Sequence, residues 1–170
     1  MKKNKILVTG NLGYIGTVLT DVLSDNFDVV GYDAGFFKDC NLVDVNTPSQ
    51  QIYKDIRDVS IDDLKEIDFV IHLAALSNDP LGELNPRLTN EINFLSTKKL
   101  AILSKKIGIK RFIYVSSQSM YGISDTNIEV DEINSEKNPV TEYAKTKWDA
   151  EIFLNTLNDE NFTVVSFRPS

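Results

Sequence analysis

In Lys5-Ile6-Leu7-Val8-Thr9-Gly10-Asn11-Leu12-Gly13-Tyr14-Ile15-Gly16 a short apolar run, Ile6 to Val8, gives way to three glycines at three-residue spacing. An apolar-periodic segment follows, with Ile15, Val18, Leu19, Val22 and Leu23 at helical intervals. The pattern reads as a buried strand, a tight turn and a helix. Glycine suits Gly10, Gly13 and Gly16 because the turn demands backbone angles other residues resist, and because an anion must approach main-chain N–H groups closely. The start of the helix supplies those donors unpaired, together with partial positive charge, which is the combination that receives a phosphate.

The next apolar run, Phe27-Asp28-Val29-Val30-Gly31-Tyr32, ends in Asp33. That interval is close to the one at which an acidic residue reaches the adenosine ribose hydroxyls of a dinucleotide. A carboxylate there would repel a 2′-phosphate, and Ala34, Gly35 and Phe36 bring no Arg or Lys, so NAD is favoured over NADP. The plain alternative is a solvated aspartate at a strand end.

Composition narrows the field of functions. The chain has 170 residues, enough for one domain with a substantial core and too few for two full ones. A net charge of −7 and a pI near 4.7 argue against nucleic acid or anionic lipid as partner. A ligand's phosphates must then be met by main-chain dipoles. Cys40 is the only cysteine and His72 the only histidine, which excludes an internal disulfide and a Cys/His metal cluster, so no metal is expected and a reducing cytoplasm fits. The lysine-rich start precedes only three apolar residues before Thr9-Gly10, too few for an export segment, and no stretch approaches membrane-spanning length.

Further along, residues 34–50 read as an irregular loop of the kind that sits over a ligand. Strands are expected at 51–53, 68–75, 111–115 and 162–167, a short helix after the Ser60 cap, a turn-rich stretch over 76–86, and an acidic loop over 125–138. Long helices are expected over 87–107 and 142–157. Strands alternating with helices imply an α/β fold: a doubly wound parallel sheet of the Rossmann type with helices on both faces, forming one domain over 1–170.

Tyr143 and Lys147 are four residues apart and therefore share a helix face. A neighbouring ammonium, the helix N-terminus and an oxidised nicotinamide all favour the phenolate, which would make Tyr143 a general base for an alcohol proton while hydride leaves for NAD. Ser117 ends a strand at the carboxyl edge of the sheet, where ligands of open α/β folds bind, and its hydroxyl could hold the reacting oxygen. The structural alternatives are Ser117 as a strand-end cap, His72 as a core residue and Lys147 as solvated helix charge.

Taken together, Thr9-Gly10-x-x-Gly13-x-x-Gly16, Asp33, Asp55-Ile56-Arg57-Asp58, His72-Leu73-Ala74-Ala75, Asn93, Ser116-Ser117, Tyr121-Gly122 and Tyr143-x-x-x-Lys147 resemble the extended short-chain dehydrogenases/reductases. The closer likeness is to their NAD-dependent epimerase/dehydratase group, which acts on nucleotide sugars. The resemblance implies that Tyr14 and Ile15 lie against the pyrophosphate, that Asp33 binds the adenosine ribose, and that Asp55 and Ile56 touch adenine. It further implies that Leu73, Ala74 and Ala75 line the cofactor, that Asn93 supports the site, that Lys147 holds the nicotinamide ribose, and that Ser117 and Tyr143 handle the sugar hydroxyl. A homodimer through the helices at 87–107 and 142–157 is a further implication, although their outward faces are mixed in charge.

Two departures from the family pattern shape the expected activity. Sugar 4,6-dehydratases of this group carry Thr-Asp-Glu where this chain has Ser117-Gln118-Ser119, so elimination lacks its acid and base and epimerisation or simple oxidoreduction is favoured over dehydration. Family members also continue past the sixth strand into a substrate-binding region, whereas this chain stops at Ser170. The expectation is a truncated form that keeps NAD binding with little turnover by itself. A non-catalytic, redox-sensing NAD module is the contrasting reading, and the presence of Ser117, Tyr143 and Lys147 together argues against it.

Overall fold

The computed structural model describes residues 3–40, 46–123 and 129–169. Parts of the loops expected over 34–50 and 125–138 therefore lie outside the described residues. Six strands form one sheet: β1 (Lys5–Thr9), β2 (Asp28–Asp33), β3 (Gln50–Tyr53), β4 (Phe69–His72), β5 (Arg111–Val115) and β6 (Thr163–Phe167). All pairings are parallel and the spatial order is β3-β2-β1-β4-β5-β6. The chain runs outward from β1 to β3, then returns to β4 on the other side of β1. Ligands of such sheets bind beyond the carboxyl ends of the strands at that reversal, here between β1 and β4.

Burial on both faces explains the uninterrupted apolar run of β1, in which Leu7 and Val8 are wholly buried. On one face Leu7, Val30, Val70, Phe112 and Val164 pack under Leu100 and Ala101 of α4 (Ser96–Lys106) and Ala150 and Leu154 of α5 (Glu142–Asn155). On the other, Ile6, Val8, Val29 and Ile71 meet Leu19 and Leu23 of α1 (Tyr14–Ser24). The doubly wound α/β fold expected from the sequence is the fold observed.

Several stretches differ from expectation, beginning with the strand expected over 68–75, which ends at His72. The turn-rich segment 76–86 contains α2 (Asp79–Leu84), and α3 (Pro86–Thr89) follows at once. Asn78 accepts from Leu81 N at 2.9 Å and Asn85 from Leu88 N at 3.1 Å, with Pro80 and Pro86 in the first turns. Asparagine followed by proline signals a turn and a helix start equally well. The long helix expected over 87–107 is three pieces: α3, a π turn at Asn90–Leu95, and α4. The hydroxyls of Ser96 and Thr97 donate back to the carbonyls of Glu91 (2.8 Å) and Asn93 (2.6 Å), giving those acceptors partners outside the ordinary ladder. α5 ends at Asn155, two residues before the expected 157.

The glycine turn closes on itself. A methyl group at Gly16 would lie 2.1 Å from the Gly10 carbonyl oxygen and 2.6 Å from Asn11 Cα, both main-chain atoms. Gly16→Ala is therefore expected to destabilise the chain by about 1–3 kcal/mol, read as a lower urea midpoint at unchanged slope.

Candidate active site

Gly10 follows β1 with φ +73°, and a Cβ there would sit 2.7 Å from the Ala74 nitrogen, so the glycine turn and the segment after β4 touch through bare main chain. Leu73 N donates to Thr9 O at 3.0 Å and Gly10 N to Tyr32 O at 2.8 Å, joining three strand ends. α1 starts at Gly13 with no side-chain cap and no acidic residue in its first turn, leaving its first N–H groups open beside exposed Tyr14 and half-exposed Ile15. Asp33 accepts from Leu12 N at 3.2 Å through one oxygen and from Gly35 N at 2.8 Å through the other, which leaves lone pairs on both for a diol. Uncapped helix donors, a side-chain-free cradle and a carboxylate at the end of β2 suit a dinucleotide.

Asp55 is engaged locally. It accepts from Arg57 N at 2.9 Å and from the guanidinium at 3.0 and 2.7 Å, and that hydrogen bonding holds its carboxyl below the usual range. The side chain of Ile56 belongs to the core under α4 and α5, so what this residue offers at the surface is its main chain.

The second half of the site comes from β5 and α5. Ser117 lies just past β5 and caps the turn Gln118–Tyr121, its Oγ accepting from Ser119 N at 3.1 Å. Tyr143 is the second residue of α5, whose start is fixed twice. Thr141 Oγ1 accepts from Ala144 N at 3.1 Å and donates to Asp79 of α2 at 2.5 Å, while Glu83 of α2 accepts from Glu142 N at 2.6 Å. Gly82 lets α2 come close, since a Cβ there would be 3.2 Å from Tyr143 Cβ. Lys147 is buried, not solvated: its Nζ donates to Val115 O at 2.7 Å and lies 4.8 Å from the Tyr114 ring centroid and 6.0 Å from that of Tyr143.

The electrostatics correct one expectation. Burial pushes the Tyr143 phenol above its ordinary value, Asp79 adds to the rise, and only the hydrogen bond with Ser117 opposes it. Lys147, stripped of water, falls to about 7. The spacing Tyr-x-x-x-Lys placed the pair on one face, but desolvation outweighs the hydrogen bond from Ser117, and in the unliganded chain the phenol keeps its proton.

His72 is the buried core residue its alternative reading described. Nδ1 lies 2.6 Å from Thr9 Oγ1 and Nε2 2.7 Å from Thr97 Oγ1, and burial, with the Lys147 charge second, lowers the imidazole to about 3. Asn93 is also buried and clasps Leu76, accepting from its N at 2.8 Å and donating to its O at 3.1 Å. Sequence reasoning missed the amide pair of Asn11 and Gln51, which exchange hydrogen bonds of 2.8 and 3.2 Å beside Gly31. The glycine inside β2 was its one signal. It also missed Glu151, buried in α5 and bonded at 3.2 Å to Arg168 Nε. The Arg168 guanidinium further donates to Tyr121 Oη at 2.7 Å and Glu132 O at 2.9 Å.

Comparison with known proteins places this geometry. The model of the NAD dependent epimerase/dehydratase family matches residues 6–170, and the chain belongs to that family. It is 31% identical over 98% of its length to dTDP-D-glucose 4,6-dehydratase of Mus musculus, covering 50% of that protein. Among solved structures, it resembles a UDP-N-acetylglucosamine 4-epimerase of Methanobrevibacter ruminantium M1 in complex with UDP-N-acetylmuramic acid. That match has a TM-score of 0.84 and 30% identity, over 99% of this chain and 55% of the other. A UDP-glucuronic acid 4-epimerase of Bacillus cereus, in complex with UDP-glucuronic acid and NAD, gives 0.80 and 27%, over 96% and 55%. The chain spans about half the length of the curated relatives it matches. Among the described residues no helix is long and apolar enough to cross a membrane.

The buried bases make stability depend on pH. Between about 3 and 6.5 the unfolded chain holds a proton on His72 that the folded chain does not, so stability rises with pH across that window; Lys147 acts likewise between about 7 and 10.5. Urea midpoints are expected to climb from pH 4.5 to 6.5 and again from 7 to 9. Lys147→Met should flatten the second climb and keep the first.

Proposed function

We propose that this chain binds NAD across the β1–β4 reversal and carries the proton-handling groups of a nucleotide-sugar epimerase-like oxidoreductase. The reading rests above all on the convergence of Ser117, Tyr143 and a buried Lys147 at the carboxyl rim of the sheet, beside a glycine turn that ends in an uncapped helix. Gly10, Gly13 and Gly16, with the main chain of Tyr14 and Ile15, receive the pyrophosphate. Asp33 takes the adenosine ribose, and Asp55 with Ile56 the adenine edge. Leu73, Ala74 and Ala75 flank the dinucleotide, Asn93 steadies that segment through Leu76, and Lys147 holds the nicotinamide ribose. NAD, when bound, supplies the acceptor for a hydride from the sugar's hydroxyl-bearing carbon and returns it.

Within this scheme Ser117 Oγ holds the sugar hydroxyl and the Tyr143 oxygen takes its proton. Tyr143 must first release its own proton to solvent. An ammonium with a pKa near 7 is readily charged at neutral pH, and once charged it favours the phenolate. Return of the proton from Tyr143 to the sugar oxygen completes the exchange. Gln118 and Ser119, next to Ser117, carry no carboxyl group, which supports epimerisation over the dehydration performed by some relatives. Self-association through the helices at 87–107 and 142–157 belongs to the same proposal; Leu95, Ile102 and Ile152 are exposed on them.

Calorimetric titration should show NAD binding by this chain, weakened about tenfold or more in Asp33→Ala, which loses hydrogen bonds to the ribose. Tyr143→Phe should bind NAD within about twofold of the parent and, in a longer chain of its relatives' length, lose at least about a hundredfold in turnover of a nucleoside-diphosphate sugar. Turnover at the parent rate in Tyr143→Phe would remove the proton-transfer reading. In sedimentation velocity the chain should run as a dimer, and Ile102→Glu with Ile152→Glu should make it a monomer.

A further inference from the structure

The imidazole of His72 stands in a row across the sheet, in register with Thr9 of β1 and Tyr114 of β5, and is sealed from solvent. The positions of its hydrogens follow from its neighbours. Thr97 Oγ1 spends its one hydrogen on the Asn93 carbonyl at 2.6 Å, so it can only accept from His72, and Nε2 carries the ring's hydrogen. A neutral ring has one N–H, so Nδ1 accepts from the Thr9 hydroxyl. Thr9 Oγ1 in turn faces Ala74 N at 3.4 Å. The bonds thus run in one direction from the segment after β4, through β1 and His72, to the π turn at Asn90–Leu95, and such chains polarise one another. Protonation would give the ring two donors and break the Thr9 link, and the depressed basicity of the buried ring keeps it neutral.

The far end of the chain has a structural consequence. With its carbonyl taken by Thr97, Asn93 sits in the opened turn and presents its amide to both main-chain groups of Leu76, and Nδ2 also reaches Thr146 Oγ1 of α5 at 3.4 Å. We propose that His72 is a positioning residue: by orienting the Thr97 hydroxyl onto the Asn93 carbonyl it maintains the π turn that aims the Asn93 amide at Leu76, and so fixes the 73–76 segment as the wall of the dinucleotide site. The inference rests on the NAD reading above for the ligand, and on hydrogen bonds of this chain alone for the mechanism.

Three variants separate the links. Gln reaches about as far as Nε2 and keeps the bond to Thr97; Asn reaches only as far as Nδ1 and keeps the bond to Thr9; Thr97→Val removes the relay hydroxyl at nearly constant volume. Amide hydrogen exchange at Leu76, exchange at Leu7 and Val70 in the core, imidazole nitrogen shifts and NAD affinity are the readouts. The parent should show a protonated Nε2 and an acceptor Nδ1, unchanged down to pH 5. Thr97→Val and His72→Asn should speed exchange at Leu76 by about tenfold and weaken NAD by a similar factor, with Leu7 and Val70 still protected, while His72→Gln stays within about threefold of the parent in both.

Unchanged exchange at Leu76 in Thr97→Val overturns the inference whatever NAD does. Equal loss of protection at Leu7, Val70 and Leu76 reduces His72 to a general core residue and overturns it too. Faster exchange at Leu76 with parent-like NAD affinity also counts against it. A parent that binds no NAD, with the exchange pattern as expected, sinks the ligand reading and leaves the positioning of Leu76 by His72 standing.

Discussion

Three lengths of main chain meet where no side chain fits. Gly10 lies against the nitrogen of Ala74, the start of α1 folds back over Gly10, and both depend on Cβ atoms that are not there. This bare contact sets the distance between the ends of β1 and β4 and aims the open N-terminus of α1 along the reversal of the sheet. The covalent simplicity of glycine is thus converted into a surface of main-chain donors, the kind of surface that can receive an anion without basic side chains.

Behind that surface the sheet carries polar groups on one face where the strands end. Tyr32, Thr9, His72, Tyr114 and Ser166 are successive register neighbours, and Lys147 rests on the Tyr114 ring. Such groups are costly in an interior unless each finds a partner. His72 and Thr9 satisfy each other, whereas the hydroxyls of Tyr114 and Ser166 have no partner among the described residues. Burial also explains why the two titrating members of the α5 face behave opposite to a surface pair: dehydration favours the neutral form of each, so Tyr143 holds its proton tightly and Lys147 loosely.

Much of this was legible in the order of residues, and the reasons are local. An apolar triplet followed by spaced glycines, an aspartate closing the next strand, a serine closing the fifth and a Tyr-x-x-x-Lys spacing are all short-range patterns, and each landed on its expected element. What the sequence concealed depends on distant partners or on burial. Asn78-Asp79-Pro80 spells a turn and a helix cap in the same letters, so α2, which props α5 from below, was invisible. In the π turn two hydroxyls bond main-chain carbonyls, and periodicity does not register that. Asn11 and Gln51 are 40 residues apart, and no spacing rule connects them. The direction of the Tyr143 shift needed its dehydration, which helical geometry alone does not contain.

The ion pair at the end of β6 bears on how small the folding unit can be made. Glu151 is dehydrated inside α5, and among the described residues its countercharge comes with Arg168, whose guanidinium lies near the rings of Trp148 and Tyr121. Any shorter version ending within β6 would strand a carboxylate in the interior, at a cost of about 3–5 kcal/mol, comparable with the whole stability of many domains. The helix bearing Tyr143 and Lys147 thus has its buried Glu151 balanced by an arginine that lies beyond the last strand of the sheet. Domain dissection or circular permutation of this fold has to carry that arginine along.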